Sequence, residues 1–335
     1  MRNCNHRSWL SFHGKDQIIF RHASTLNDIV MSLNEPAQKF PSLVAMIGHA
    51  DDTTLMHHVL PNARRRADHE EADGLFLQLD PDTAFSDRPT LIAHDNFSKR
   101  TTFTPEPTST TCHRHTLREL QWQVNNPAEV IDDLYCRLIR PFADVTCFFS
   151  TDTNDIEQIV ERMVPWLKQR HLKSYPSVSC HRLLFVSGPS EKRSPADVQA
   201  QLFKLLHQRL QDPNPDVFSC VSVYVKHGSI HTLKDRIKKE ADVARNLSAQ
   251  RHGLVNAVHF DFLFRHASDH FASTAQEPFD MLAASRLHRP VPPGLHTHLA
   301  DLFKEVDTLE DMTAFVAPFV AGCLALDNYT YDVQC

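Results

Sequence analysis

The sequence predicts an α/β fold built on a doubly wound, mostly parallel sheet, followed by a C-terminal helical appendage. Between residues 40 and 250, short apolar runs alternate five or six times with segments at helical spacing, the pattern of parallel strands joined by helices. Several runs are apolar on both faces, as the buried strands of a parallel sheet are. After Arg251 the strand-like runs stop and only helical periodicity continues.

Composition allows a large core and narrows the classes of partner. The chain has 335 residues, of which 41% are hydrophobic, enough for one large domain or two moderate ones. The formal net charge is −6, and the only compact basic run is Arg64–Arg66, so we expect no nucleic-acid partner. The longest apolar run, Phe315–Leu326, contains Pro318 and is shorter than the roughly 20 residues that cross a bilayer. Because the N-terminus also lacks a signal-peptide core, we expect a cytoplasmic protein without a transmembrane segment.

The eight cysteines are scattered and indicate neither a disulfide framework nor a metal centre. None forms a C-x-x-C pair, so we expect reduced thiols in an intracellular protein. Cys112, His113 and His115 lie close together, but they supply at most three of the four ligands that zinc needs. We therefore predict no metal site.

Six short apolar runs account for the expected strands. The first begins at Ser42 and is closed by Gly48, and its length suits a buried strand rather than a helix. The run DVTCFFS is apolar on both faces, which suits the middle of a parallel sheet. Gly188 and Pro189 end the fifth run, and the sixth alternates only in part. The expected strands are Ser42–Ile47, Leu75–Leu79, Thr90–His94, Asp144–Ser150, His181–Ser187 and Phe218–Val225.

Helical spacing and helix-end signals account for the other segments. Pro36 ends the first helix and Pro61 the second, whereas Pro195 and Asp197 open the fifth, as proline and acidic residues do in a first turn. Residues 99–115, rich in threonine and proline, are expected to form a long loop. The expected helices are Thr25–Leu33, Asp51–Leu60, Pro127–Ile139, Asp155–His171, Pro195–Leu210 and Ile230–Leu247, then Val255–Phe271, Leu295–Val306 and Leu309–Leu326.

The elements suggest three parts of the chain. Residues 1–39 are expected to be an N-terminal extension, residues 40–250 the α/β domain and residues 251–335 a helical C-terminal region. The third part contains no strand-like run, so we expect it either to pack on the sheet or to lead into another element.

The first expected strand is followed by a turn and a helix, the arrangement that carries the phosphate-binding loop of P-loop NTPases. In a working loop, G-x-x-x-x-G-K-[ST], backbone N–H groups cradle the phosphates, the lysine neutralises them and the hydroxyl binds Mg²⁺. Counted from Gly48, the second glycine falls on Thr53, the lysine on Thr54 and the hydroxyl on Leu55. In a loop two residues shorter, Asp52 takes the lysine position and Thr53 keeps the hydroxyl. None of the three residues fits the motif in the first register, and in the second register the hydroxyl survives but the cation has become an anion.

An aspartate in place of the lysine reverses the sign of the interaction with phosphate. Two unit charges about 4 Å apart interact by roughly 1 to 4 kcal/mol near a protein surface, so attraction becomes repulsion of that order. Asp51 or Asp52 can also cap the following helix, and a carboxylate would then take the place of the phosphate. The alternative is that backbone N–H donors of a divergent loop still bind nucleotide.

The other positions of a nucleotide site are also altered. His94 occupies the acidic metal position at the end of the third expected strand, and Asp95 follows one residue later. After the fifth strand, where guanine recognition uses N-K-x-D, the chain has no Asn-Lys pair. We predict no catalytic residue, and a vestigial nucleotide site formed by Gly48, Asp51, Asp52, Thr53, Thr54 and Asp95. If a nucleotide still binds, GTP or ATP with Mg²⁺ is the expected cofactor.

Six segments carry a resemblance to a known family: FPSLVAMIGH, RPTLIAHDNF, LYCRLIRPFADVTCFFSTDTNDIEQIVERMVPWL, HRLLFVSGPSEKR, EPFDMLAASRLHRPVPPGLHTHL and FVAPFVAGCLALDNY. They resemble the N-terminal GTPase-like region of large fungal proteins that carry a patatin-like phospholipase domain further along. The resemblance implies a nucleotide-binding-like switch module before a lipid-cleaving domain, with a role in regulation or defence. Asp52, Leu55 and His94 depart from the family's nucleotide motifs. The chain also has no G-x-S-x-G elbow, so a lipase site is not expected in it.

The sequence thus predicts a degenerate GTPase-like module that binds a protein partner or regulates a linked effector domain, with poor or no nucleotide hydrolysis. Two alternatives stay open. One is a divergent but active GTP- or ATP-binding NTPase, and the other is the truncated N-terminal part of a patatin-like phospholipase protein acting in lipid metabolism.

Overall fold

The structure, a computed structural model, describes most of the chain. The described residues are 8–14, 17–48, 74–95, 103, 114–124, 126–150, 155–168, 181–187, 194–210, 215–225, 231–250, 254–274, 277–288, 295–304, 308, 310 and 312–317. The chain divides into two compact units, Met1–Phe279 and Asp280–Cys335. In the described residues no helix combines the length and apolar character needed to cross a membrane.

The first unit is built on one sheet of nine strands. Their spatial order is β6-β2-β1-β4-β5-β3-β7-β8-β9. The strands are β1 Leu10–His13, β2 Ile19–Ala23, β3 Ser42–Ile47, β4 Leu75–Leu79, β5 Thr90–Asp95, β6 His115–Glu119, β7 Ala143–Ser150, β8 Arg182–Ser187 and β9 Val221–Val225. The six strands expected from the sequence are all present. Two keep their expected bounds, and each of the other four has one end shifted by one to three residues.

The sheet has mixed orientation, which corrects the prediction of a mostly parallel sheet. Five neighbouring strands, β5-β3-β7-β8-β9, are parallel, whereas β6, β2, β1, β4 and β5 pair antiparallel. The difference arises from β1, β2 and β6, which the sequence did not indicate as strands. Their runs are interrupted by polar residues such as Ser11, Arg21 and His22, which the fold buries. The fold is therefore mixed α/β, with a parallel half and an antiparallel half.

Most of the expected helices keep similar bounds where the structure describes them. The helix Met281–His288 was not expected, and within the expected helix Leu309–Leu326 the structure describes a short π-helix, Met312–Val316. The expected helix Asp51–Leu60 lies outside the described residues. The segment expected as one helix over Pro127–Ile139 changes from α-helix to π-helix at Leu134. The helices are α1 Thr25–Ser32, α2 Pro127–Asp133, a π-helix Leu134–Ile139, α3 Asp155–Lys168, α4 Pro195–Leu210, α5 His231–Gln250, α6 Ala257–Ser273, α7 Met281–His288, α8 Leu295–Lys304 and a second π-helix Met312–Val316, with 3-10 turns at Pro36–Gln38 and Pro215–Cys220.

Helix α5 covers one face of the parallel half of the sheet. Its apolar side, Leu233, Ile237 and Ala241, is buried against the strands. The strand residues of this cluster are Val44, Met46, Ile92, Val145, Cys147, Phe149, Leu184 and Val186. The covering helix explains why the sequences of these strands are almost continuously apolar.

Helix α6 packs on the antiparallel half through aromatic side chains. Trp9 stacks on Phe264 with 4.5 Å between ring centroids, and Phe20 meets Phe271 edge-on at 5.4 Å. The sequence grouped this helix with the C-terminal region, whereas here it belongs to the compact unit that contains the sheet. The domain boundaries at residues 39/40 and 250/251 stay predictions.

Candidate functional site

The order of the parallel strands identifies the edge of the sheet at which a ligand site is expected. After β3 the chain forms β4 and β5 on one side of it, then returns to form β7, β8 and β9 on the other side. In open α/β sheets, ligands bind outside the carboxyl ends of the strands at such a reversal. We call the carboxyl ends of β3, β5, β7, β8 and β9 the switch-point edge.

Gly48 lies at this edge, directly after β3, and a packing contact explains why it is glycine. An added Cβ would lie 2.7 Å from the Cβ of Phe149, closer than two such atoms approach in real structures. Phe149 belongs to the neighbouring strand β7 and is buried. From the sequence, Gly48 was expected to begin a phosphate loop. The close approach of Phe149 is a second reason for glycine at this position, and it does not depend on phosphate.

His94 is buried near the end of β5 and is engaged by the neighbouring strand β4. Its ring stacks on Phe76 with 5.4 Å between centroids, and the amide nitrogen of Gln78 lies 3.0 Å from its Nε2. Both contacts are made by side chains of β4. The position expected to hold an acidic metal ligand therefore carries a histidine ring with packing partners.

Of the predicted site residues, the structure places two at the switch-point edge. Gly48 follows β3, and Asp95 is the last residue of β5, paired with Leu75 of β4. Asp51, Asp52, Thr53 and Thr54 lie outside the described residues. Their role in a phosphate loop stays a prediction.

Two hydroxyl groups at the same edge were missed by the sequence reasoning. Ser150 ends β7 and Ser187 ends β8, and the two residues are paired in register. Both side chains are buried. The only sequence signal was that each is the polar last residue of an apolar run, which does not distinguish a site from a strand end. They add neutral hydrogen-bonding groups to the edge but no charge.

Buried charge is found instead at the amino ends of the strands. The Ser42 hydroxyl of β3 donates to the Asp144 carboxylate of β7. Burial raises the pKa of Asp144 to about 6, although the Ser42 hydrogen bond, the nearby Arg245 charge and the backbone N–H of Leu43 oppose the rise. The Arg245 guanidinium of α5 donates to the Phe40 carbonyl, and burial lowers its pKa. These contacts hold β3, β7 and α5 together.

A second ion-pair cluster joins β8 to α5. Glu240 of α5 is buried and accepts from Arg182, the first residue of β8, with 2.8 Å between Nε and Oε2. Its other oxygen lies 2.8 Å from the guanidinium of Arg236, one helical turn earlier. Because each carboxylate oxygen has a cationic partner, the buried charge is compensated.

The described residues offer neither a metal cluster nor a reactive thiol. No group of three or more histidine, cysteine or acidic side chains within the described ranges is placed to hold a metal ion. Cys136, Cys147 and Cys220 are buried and form no disulfide. Burial raises the pKa of Cys136 to about 12 and also raises that of Cys147, so these thiols stay protonated near neutral pH.

Comparison with known proteins finds no matching family model and no matching curated sequence. Among solved structures, a probable GTP-binding protein EngB is similar at 13% identity and a TM-score of 0.31, over 60% of this chain and 99% of that chain. Toc33 from Arabidopsis thaliana, in complex with GDP and Mg²⁺, is similar at 10% identity and 0.34, over 70% and 96%. The siderophore hydrolase EstA from Aspergillus nidulans is similar at 12% and 0.25, over 71% and 95%. Scores this low do not bear on the function of the chain.

Proposed function

We propose that this chain is a degenerate P-loop GTPase-like module that acts by binding a protein partner or by regulating a linked effector domain, with poor or no nucleotide hydrolysis. The observation that carries the proposal is that none of the five parallel strands ends in a cationic residue. Where the structure describes them, the five parallel strands end in Ile47, Asp95, Ser150, Ser187 and Val225, without a lysine or arginine.

This observation bears on function because a nucleoside triphosphate is strongly negative. A working site supplies a lysine and a metal ion to balance the phosphates. Here the sequence offers Asp52 at the lysine position of the shorter loop register, and His94 takes the place of the second acidic group. The His94 ring, which is hydrogen-bonded to Gln78, does not supply the carboxylate oxygen that Mg²⁺ prefers as a ligand. A chain with this fold and without these charges is suited to recognition rather than to phosphoryl transfer.

A divergent but active NTPase is the second candidate, and Thr53 is the observation that favours it. In the shorter register this residue keeps the hydroxyl that would bind Mg²⁺ beside GTP or ATP. Phosphate release from Mg-GTP or Mg-ATP, abolished by Thr53→Ala, would establish this candidate. Absence of both turnover and binding would remove it.

The patatin-like resemblance suggests a third candidate, in which the chain is the N-terminal part of a longer protein. Residues 251–335 would then be the helical appendage that leads to a lipid-cleaving domain. Sequencing the transcript beyond the codon for Cys335 tests this directly. A downstream patatin-like reading frame would support it, and a stop codon with no such frame would count against it.

Calorimetric titration of the full chain tests the leading proposal. We expect no heat of binding from Mg-GTP or Mg-ATP at micromolar concentrations, since the loop repels the phosphates it would have to hold. Micromolar affinity for either nucleotide would contradict the proposal. A cytoplasmic location, expected from the sequence, is part of the same proposal and is tested by fractionation.

A further inference from the structure

The turn between β4 and β5, residues 81–88, presents one aromatic side chain almost completely to solvent. Phe85 is 92% exposed, the most exposed of the large apolar side chains that the structure describes. The turn immediately precedes Thr90, the first residue of β5, so it lies at the amino ends of the parallel strands. It is therefore at the opposite side of the sheet from the switch-point edge.

Hydrogen bonds hold this turn in a single shape. The Thr83 N–H donates to the Asp80 carbonyl at 3.1 Å, and the Ser86 N–H donates to the Thr83 carbonyl at 3.0 Å. The Thr83 hydroxyl accepts from the N–H of Thr90 at 2.8 Å, which ties the turn to the first residue of β5. A side chain carried on an ordered turn loses less conformational entropy on binding than one on a flexible loop.

Two carboxylates of the turn are more exposed than the lysines that pair with them, whereas the neighbouring Asp80 carboxylate is buried. Lys39 bonds Asp87 at 3.0 Å, yet the lysine side chain is 11% exposed and the aspartate side chain 89%. Lys234 of α5 bonds Asp80 and Asp82, and the Asp82 side chain is 71% exposed. The outer surface around Phe85 is thus marked by two carboxylates.

Phe40 is a second exposed apolar residue, and its backbone is bonded to the turn. Its N–H donates to the Asp87 carbonyl at 2.9 Å, so it lies beside the turn, and its side chain is partly exposed. Arg88 is the one exposed cation among the residues of the turn. Solitary exposed apolar residues are common, but an aromatic side chain on a hydrogen-bonded turn that also carries outward carboxylates has the composition of a binding anchor.

We propose that the turn at residues 81–88 is the docking site for a partner protein that inserts Phe85 into an apolar pocket bordered by lysine or arginine. The inference rests on the proposed partner-binding function and specifies the surface that performs it. The cationic border follows from the outward carboxylates of Asp82 and Asp87, because complementary charge steers and orients association. A central aromatic in a desolvated pocket supplies most of the affinity of such an interface.

Selection from a phage-displayed library of random peptides on the immobilised full chain, with counter-selection on Phe85→Ala, tests the proposal. We expect surviving peptides that combine apolar residues with lysine or arginine. Phe85→Ala should weaken binding of a synthesised peptide at least about tenfold by fluorescence polarisation. Met31→Ala is the matched control, because Met31 is also highly exposed but lies on α1. That variant should bind as the unsubstituted chain does.

A second pair of variants tests the charge argument separately. The double substitution Asp82→Asn and Asp87→Asn should weaken binding at low salt, whereas Arg88→Gln should leave it unchanged or strengthen it. Failure to enrich any peptide, enrichment without basic residues, or equal binding to Phe85→Ala would overturn the docking site. Micromolar affinity for a nucleotide would instead contradict the proposed function. The peptide experiment would still test the docking site independently.

Discussion

At the scale of single residues, Asp144 shows how burial and hydrogen bonding compete at one carboxyl group. Burial raises its pKa to about 6 despite the Ser42 hydroxyl and the Arg245 charge. Between pH 3.8, the ordinary pKa of an aspartate, and about pH 6, the folded chain binds the proton more tightly than the unfolded chain does. The contribution of this group to stability is therefore complete below pH 4 and is lost as the pH rises through 6.

Asp144→Asn should remove this dependence. We expect the free energy of unfolding of the variant, relative to the unsubstituted chain, to rise by about 3 kcal/mol between pH 4 and pH 7, since one pKa unit is about 1.4 kcal/mol. The other titrating groups contribute equally to both proteins, so their contributions cancel in the difference. They include His22, because burial lowers its pKa to about 3. Urea unfolding at a series of pH values measures it.

Asp82→Asn is the control, because the stability contribution of Asp82 changes with pH in the opposite direction. A hydrogen bond from Lys234 lowers the pKa of Asp82, so its stabilisation is present above its ordinary pKa and is lost as the pH falls. If Asp144→Asn and the unsubstituted chain keep the same difference in stability across the range, burial does not control this carboxyl group.

Gly48→Ala should destabilise the fold even without any nucleotide. The new Cβ would meet the Cβ of Phe149, so one strand end must shift. Overpacking of this kind costs typically about 1 to 3 kcal/mol. Urea unfolding of the two proteins measures the cost, and an unchanged midpoint and slope would refute the packing explanation.

The site residues show what a linear sequence can and cannot predict. The position of Gly48 after the first strand and the departure at His94 followed from motif spacing. The contact with Phe149 and the hydrogen bond with Gln78 did not, because these partners are distant in sequence and depend on strand register. The charges of Asp51 and Asp52 are readable from the sequence alone, and they still carry the functional hypothesis.

At the scale of elements, the strands that were missed are those with polar residues at buried positions. β1 and β2 bury Ser11, His13, Arg21 and His22, so their sequences lack the apolar runs that identified β3, β7 and β8. Tertiary packing against α6, through Trp9 and other aromatic side chains, overrides the weak local signal. The parallel strands, which are covered on both faces, could be predicted from their own apolar sequences.

Helix α5 depends on the buried carboxylate of Glu240. Glu240→Ala would leave Arg182, which is largely buried, without its partner. Breaking a buried pair on one side typically costs about 3 to 5 kcal/mol. Thermal and urea unfolding should show this loss. Asp235→Ala, at an exposed position of the same helix, should change stability by less than about 0.5 kcal/mol. Equal effects of the two variants would show that the Glu240 cluster is not stabilising.

At the scale of the whole molecule, the described charges are distributed unevenly between the two edges of the parallel sheet. Asp144 and Arg182 lie at the amino ends of β7 and β8, whereas the carboxyl ends of the same strands carry only hydroxyl groups. The alternation of strands and helices in the sequence predicted which edge to inspect. It did not predict the antiparallel half, which depends on pairing between segments far apart in the chain.

The compact unit Met1–Phe279 should fold as a separate protein, whereas residues 40–250 alone should not. The shorter fragment lacks β1, β2 and α6, and so loses the Trp9–Phe264 stack and exposes the apolar residues of β4. We expect a cooperative urea transition, followed by circular dichroism, for residues 1–279 only. A sharp transition for residues 40–250 would instead support the domain boundaries expected from the sequence.

The most direct test of the account is calorimetric titration with Mg-GTP of the unsubstituted chain beside Asp52→Lys. If a carboxylate stands where the phosphates require a cation, the unsubstituted chain should show no binding and Asp52→Lys should gain measurable affinity, because repulsion of roughly 1 to 4 kcal/mol becomes attraction of that order. Asp51→Lys is the matched control and should gain less. Micromolar binding of Mg-GTP by the unsubstituted chain, weakened by Asp52→Lys, would contradict the account.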